Sequence, residues 1–240
     1  MGLTIHYTLQ SDAATDADAR EAILNLRRRA CELPFAEVGE VLELNGREAC
    51  EYEMVEHGDP LRWLLVQASQ PIRYTRNRRE YWATVTPSNL VAFTINPGDG
   101  CEHANFGLCR YPKRITSSGH QISTNLNGWC WASFCKTQYA SNANCGGVKN
   151  FLRCHVGLVH LLDHAKELGV LASVKDEGNY WEHRDLAALI KEIGEWNQMI
   201  AGFYGGMRDA IEAAGHDPNM LMAEISKFPD FEHLEAKDRT

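Results

Sequence analysis

The stretch Trp129–Asp176, WCWASFCKTQYASNANCGGVKNFLRCHVGLVHLLDHAKELGVLASVKD, decides the fold reading. Its first eleven residues, Trp129–Tyr139, read as a strand. Gly146-Gly147 then introduces a helix from Val148 to Leu168. At 100° per residue, Phe151, Cys154, His155, Leu158, Leu161, Leu162 and Ala165 form one apolar arc of that helix, with Lys149, Arg153, Asp163 and Glu167 opposite. Gly169 stops the helix, and Val170–Val174 returns as a strand. Two strands joined by one helix predict a parallel crossover, whose strand ends share one edge of the sheet.

Both of these strands run into polar clusters. The predicted edge therefore gathers Lys136, Gln138, Tyr139, Asn142 and Asn144 beside Asp176, Glu177, Tyr180, Trp181 and Glu182. Strand ends of this kind are where ligands bind in parallel α/β arrangements. Asp176, Glu177 and Glu182 supply carboxylates for general-base chemistry or for a divalent cation. Lys136 counters a negative group, and backbone N–H groups at Gly146 and Gly147 can receive an anion. Tyr180 and Trp181 offer flat faces to a base or sugar ring. The competing reading makes Asp176 and Glu177 a solvated turn, Glu182 a helix cap and Trp181 core. Gly146-Gly147 lacks the spacing of a dinucleotide fingerprint or a phosphate loop.

Working outward, Leu3–Leu9 alternates as a strand. A helix capped by Thr15 or Asp16 runs to about Glu32, with Ile23, Leu26 and Ala30 on one side. Val38–Leu44 and Arg62–Ala68 read as strands, and Tyr81–Thr86 with Leu90–Ile95 as a hairpin around Pro87-Ser88-Asn89. Residues 97–128 read as loop with one short strand at Gln121–Asn125. Asp185–Ala214 carries a helical period through Leu189, Ile193, Ile200 and Ile211. The order of elements predicts an α+β fold: a mixed, largely antiparallel sheet with helices on one face, ferredoxin-like β-α-β units and a long C-terminal helix. One domain over 1–215 is expected, with an alternative of two halves, 1–96 and 129–215, and a polar tail at 216–240.

Composition narrows the function classes. The chain has 240 residues, 44% hydrophobic and 23% charged, which excludes collagen-like and disordered proteins. Its apolar runs fall far short of the roughly 20 residues needed to cross a bilayer, so no membrane partner is expected. MGLTIHYTLQ has no basic leader, and eight scattered cysteines without C-x2-C pairs read as reduced thiols, so the expected compartment is the cytoplasm. The net charge of −8 argues against general nucleic-acid binding.

Three further clusters stand out. His160 and His164 are four apart but lie on the polar side of their helix, where solvation is the simpler role; His155 points into the apolar arc as a core histidine. Cys135 beside Lys136 and Cys145 at a helix start are thiol candidates without an assigned base. Arg73, Arg76, Arg78 and Arg79, with Tyr74, Tyr81 and Trp82, form a basic aromatic patch suited to RNA, or else a charged edge that keeps the protein soluble.

The leading expectation is an enzyme (a hydrolase or transferase) or a ligand-binding domain for a polar, anionic, nucleotide-like small molecule, using carboxylates with or without a divalent cation. The alternatives are an interaction module or homodimer working through Trp196, Gly202, Phe203, Tyr204, Gly205 and Gly206, and RNA contact through the Arg73–Arg79 patch.

Overall fold

A computed structural model describes residues 3–13 and 15–195. Its main sheet holds β1 (Thr4–Ser11), β2 (Glu37–Val38), β3 (Leu42–Asn45), β6 (Asn89–Asn96), β7 (Ala104–Arg110), β10 (Trp129–Lys136) and β11 (Leu171–Asp176). Their order is β11-β1-β10-β7-β6-β2, with β3 also pairing β6. Every neighbouring pair in the sheet is antiparallel. The fold is α+β around a largely antiparallel sheet.

The helices form for local reasons. In α1 (Asp16–Glu32) the Thr15 hydroxyl accepts from the Asp18 N–H, and the Asp18 carboxylate accepts from the Thr15 N–H. This reciprocal box satisfies two N–H groups that the first turn leaves without helical partners. Ala19, Ile23, Leu26 and Ala30 recur at helical spacing and are buried. Burial of Ile23 or Leu26 stabilises by about 1.5 to 3 kcal/mol each. The helix α3 (Gly147–Glu167) buries the arc expected from its period, His155 included. It packs on α1 and β11.

Several segments differ from expectation. Residues 62–68 belong to a helix, α2 (Pro60–Ala68), started by the Asp59 side chain accepting from the Leu61 N–H, with Pro60 in the first turn. The 38–44 strand is broken into β2 and β3. The expected 81–95 hairpin does not form: β6 pairs β7, β2 and β3, while β5 (Arg79–Val85) pairs β4 (Gln70–Arg76) in a separate hairpin. The 97–128 region holds the central strand β7 and a second small hairpin, β8 (Arg114–Ser117) with β9 (His120–Ser123). Residues 186–195 are helical, and Leu189 and Ile193 are buried with Leu3, Ala140, Phe151 and Cys154. The rest of the expected C-terminal helix, with Trp196 and the 202–206 cluster, lies outside the described residues.

The strands β10 and β11 are each antiparallel to β1, so they are parallel to one another. Their ends share one edge, as the 129–176 reading requires. They are not adjacent, however: β1 lies between them, with Thr4 opposite Lys136 and Ile5 opposite Asp176. On the other side of β10, its ladder to β7 is only two residue pairs long. Where the strands part, the Asn105 carbonyl accepts from the Tyr7 hydroxyl at 2.7 Å and the Trp131 indole N–H at 2.9 Å.

Candidate functional site

The strand-end edge is built by β1, β10, β11 and the turns that follow them. Asp176 sits at its centre with its side chain removed from solvent. One carboxylate oxygen accepts from the Gly178 N–H at 2.8 Å; the other accepts from the Trp181 N–H at 2.9 Å and meets His155 Nε2 at 3.2 Å. Burial would raise the Asp176 pKa, but the His155 hydrogen bond and charge, together with the two amides, outweigh it and hold the carboxyl below its ordinary value. An ionised carboxylate only accepts, so Nε2 carries a proton and donates to it. On the far side of the ring, Nδ1 lies 2.9 Å from the Thr137 hydroxyl. Thr137, His155 and Asp176 thus form a buried chain from the end of β10 through α3 to the end of β11.

Most of the other expected site residues also face inward or partner one another. Gln138 accepts from the Leu3 N–H through its side-chain oxygen, and Glu177 accepts from the Thr4 N–H. These two side chains strap down the start of β1. The Lys136 ammonium donates to the Tyr139 hydroxyl at 2.8 Å and lies 4.5 Å from that ring's centre. Asn142 accepts from the Asn144 N–H, while its buried Nδ2 finds no acceptor among the described residues. The Gly146 and Gly147 N–H groups donate to Ala143 and Asn142 carbonyls, so neither is free to receive an anion. The Trp181 ring is covered by the Arg184 guanidinium at 4.8 Å, and Arg184 is in turn held by both oxygens of Asp163. Glu182 is exposed.

Thiol chemistry finds little support in the same geometry. Burial, then Glu102, pushes the Cys135 thiol up, and it donates to the Glu102 carbonyl. Burial and Asp99 raise Cys145. Cys154 moves the other way, lowered by a hydrogen bond from Cys101 and by Arg153, but it is buried in the cluster under residues 186–195. Among the described residues no three His, Cys, Asp or Glu side chains are grouped to hold a metal ion. His160 and His164 pair locally with Asp163 and Glu167.

What the edge leaves open is the sheet face beside it. Along β1 the side chains of Ile5, Tyr7 and Leu9 are buried, while His6 and Gln10 are exposed and Thr8 is half-buried. Opposite them, Ala132 and Phe134 on β10 and Ser173 and Lys175 on β11 are exposed. A groove of about 350 Å³ runs over this face, bounded on one side by Gln67 of α2. Its lining contains Lys175, His6 and several hydroxyls, and no Asp or Glu. Phe134 is 48% exposed there, with its ring centre 5.8 Å from that of His6. At the rim, His6 Nε2 lies 3.9 Å from Glu177. Sequence reading passed over these residues because each sits singly in an alternating strand; the legible signal was an aromatic, Phe134, on the polar side of β10.

Comparison with known protein families, curated proteins and solved structures returns no match. The site therefore rests on its own geometry. Among the described residues no helix is long and apolar enough to cross a membrane.

Proposed function

We propose that the protein binds a polar, anionic, nucleotide-like small molecule in the groove over β10, β1 and β11. The observation that carries this reading is an open sheet face lined by a cation, an imidazole and hydroxyls around an exposed phenyl ring, with no carboxylate in the lining. Lys175 attracts an anionic group, His6 offers an imidazole edge, Thr8 and Ser173 offer hydroxyls to its oxygens, and Phe134 receives a flat ring. The opposite face of β1 is core, so the groove has a rigid floor.

The expected carboxylate chemistry moves with the site. Asp176 is committed to His155 and two amides, so its proposed role is to position the strand ends. Glu177, at the groove rim beside His6, is the proposed acid–base group if the ligand is a substrate, and Glu182 is the proposed solvent-side carboxylate for a divalent cation. The expected ferredoxin-like character draws its support from β10-α3-β11, a split β-α-β unit with β1 inserted.

Titration calorimetry with the four ribonucleoside monophosphates, with and without magnesium, tests the proposal. At least one is expected to bind, and Lys175→Ala and Phe134→Ala should each weaken it about tenfold, a loss of about 1.4 kcal/mol. Absence of binding across the set, or binding indifferent to both substitutions, sinks it. A second reading, self-association, is favoured by Leu186 and Ile190, exposed one turn apart on the 186–195 helix. Sedimentation of the full chain against the Leu186→Glu/Ile190→Glu variant decides it: a dimer that the substitutions abolish supports it, and a monomer throughout removes it.

A further inference from the structure

We infer that the two small hairpins, β4–β5 and β8–β9, form a binding surface for single-stranded nucleic acid, separate from the sheet-face groove. The two hairpins touch, with the Tyr74 and Ser117 hydroxyls 3.4 Å apart. Charge is concentrated on them. Residues 70–85 and 113–123 hold six Lys and Arg against one acid, Glu80, leaving 18 against 31 in the rest of the chain. An acidic protein thus carries a strongly basic lobe, and counterion release acts locally, on the phosphates that touch that lobe, whatever the net charge.

The arginines of this lobe are also placed differently from those elsewhere. Arg20, Arg27, Arg28, Arg29, Arg110 and Arg184 each hold a carboxylate within 3 Å. Arg76, Arg78 and Arg79 are exposed and have no ion pair among the described residues. Arg76 and Arg79 lie directly opposite one another across the hairpin, where like charges repel. Between them the turn is Asn77-Arg78, both at positive φ, 48° and 62°. The second of these positions favours glycine in a two-residue hairpin. An arginine held in that backbone region, between two unpaired arginines, adds repulsion and strain that the fold itself does not need. An anionic partner relieves the repulsion.

The aromatic residues choose among anionic partners. Trp82 is 68% exposed and sits opposite Arg73 on the face of the hairpin turned away from the Tyr74–Tyr81 stack. A flat indole beside a guanidinium is a stacking platform for unpaired bases; an acidic peptide offers it nothing flat to cover. The arrangement suits phosphates and base faces.

Fluorescence anisotropy with labelled U12 RNA, dT12 DNA and a 12-base-pair duplex tests this on the full chain. Either single strand should bind more tightly than the duplex at low salt, and the two strands distinguish RNA from DNA. Trp82→Ala should weaken binding about tenfold. Arg76→Ala/Arg78→Ala/Arg79→Ala should lower the slope of log K against log salt by about 2, because each phosphate contact on a single strand adds about 0.7. Arg78→Gly separates binding from folding: it removes a charge while relieving the backbone, so binding should fall with the unfolding midpoint unchanged or raised. No binding of either strand, duplex bound as tightly as single strands, or polyglutamate displacing U12 and dT12 as well as unlabelled strand does would each overturn the inference.

Discussion

Replacing Asp176 with Ala separates a structural role for this carboxylate from a chemical one. The side chain is removed from solvent and accepts from the Gly178 and Trp181 amides and from His155. Truncation leaves two buried donors and the part-buried Trp181 amide without their acceptor, each buried one worth about 1 to 3 kcal/mol if nothing replaces it. Local relaxation and entry of water recover part of that, leaving a loss on the order of 3 to 5 kcal/mol from the orphaned donors. For a domain of this size a kilocalorie shifts the melting temperature by about 2 to 4 °C, so a fall on the order of 10 °C is expected. Denaturant unfolding followed by circular dichroism supplies the free energy. His155→Ala and the double variant complete a cycle, in which the two losses should be strongly non-additive because the residues share one bond. A loss below about 1 kcal/mol, or two fully additive losses, would refute the reasoning. A stable Asp176→Ala protein that had lost nucleotide binding would return this carboxylate to the ligand chemistry its position in the sequence suggests.

The same carboxylate predicts an acid dependence. Its folded pKa is depressed, so its contribution is present above the ordinary carboxylate range and is lost as pH falls through the folded value. The stability gap between wild type and Asp176→Asn should therefore narrow as urea midpoints are measured from about pH 5 downward, and a gap constant to the acid limit contradicts it. Packing makes an independent prediction at Gly107, where a Cβ would lie 2.7 Å from the Ala92 Cβ and 2.9 Å from the Val91 carbonyl oxygen. Neither neighbour is a flexible side-chain end, so Gly107→Val should destabilise by about 1 to 3 kcal/mol through displacement of β6 from β7. A denaturant midpoint unmoved by Gly107→Val would show that the two strands part more easily than their ladder implies.

Periodicity carried the reading where an element has one buried face. β1, α1, β10 and α3 show this, and the capping residue Thr15 was legible as well. It failed where both faces are covered. Ala104 and Phe106–Cys109 of β7 are buried, so the strand shows no alternation and resembles a loop following Pro97-Gly98. The apolar run Arg62–Ala68 suits strand and helix equally; the Asp59-Pro60 start signal, read first, would have chosen helix. β5 was legible as Tyr81–Thr86, but its partner β4 was obscured because their turn is Asn77-Arg78 and lacks the glycine that usually announces a two-residue hairpin.

The candidate edge was legible in the sequence and the proposed groove was not, and the reason lies in β1. Residues 129–176 place two parallel strand ends on one edge, and in a sheet where such strands are neighbours the edge opens into a crevice. Here β1 begins in that space, and its first N–H groups require acceptors. Gln138 and Glu177 supply them, while Asp176, His155 and Thr137 join the flanking elements across the gap. Polar residues concentrated to hold a buried strand start and polar residues concentrated to hold a ligand give the same sequence signature, because both meet unsatisfied donors and acceptors. What separates them is the strand order, a long-range property set by pairing between residues more than a hundred positions apart. With β1 filling the edge, the proposed groove draws on the alternating outward positions, His6, Phe134 and Lys175. They lie far apart in the chain, and only the sheet register brings them to one face.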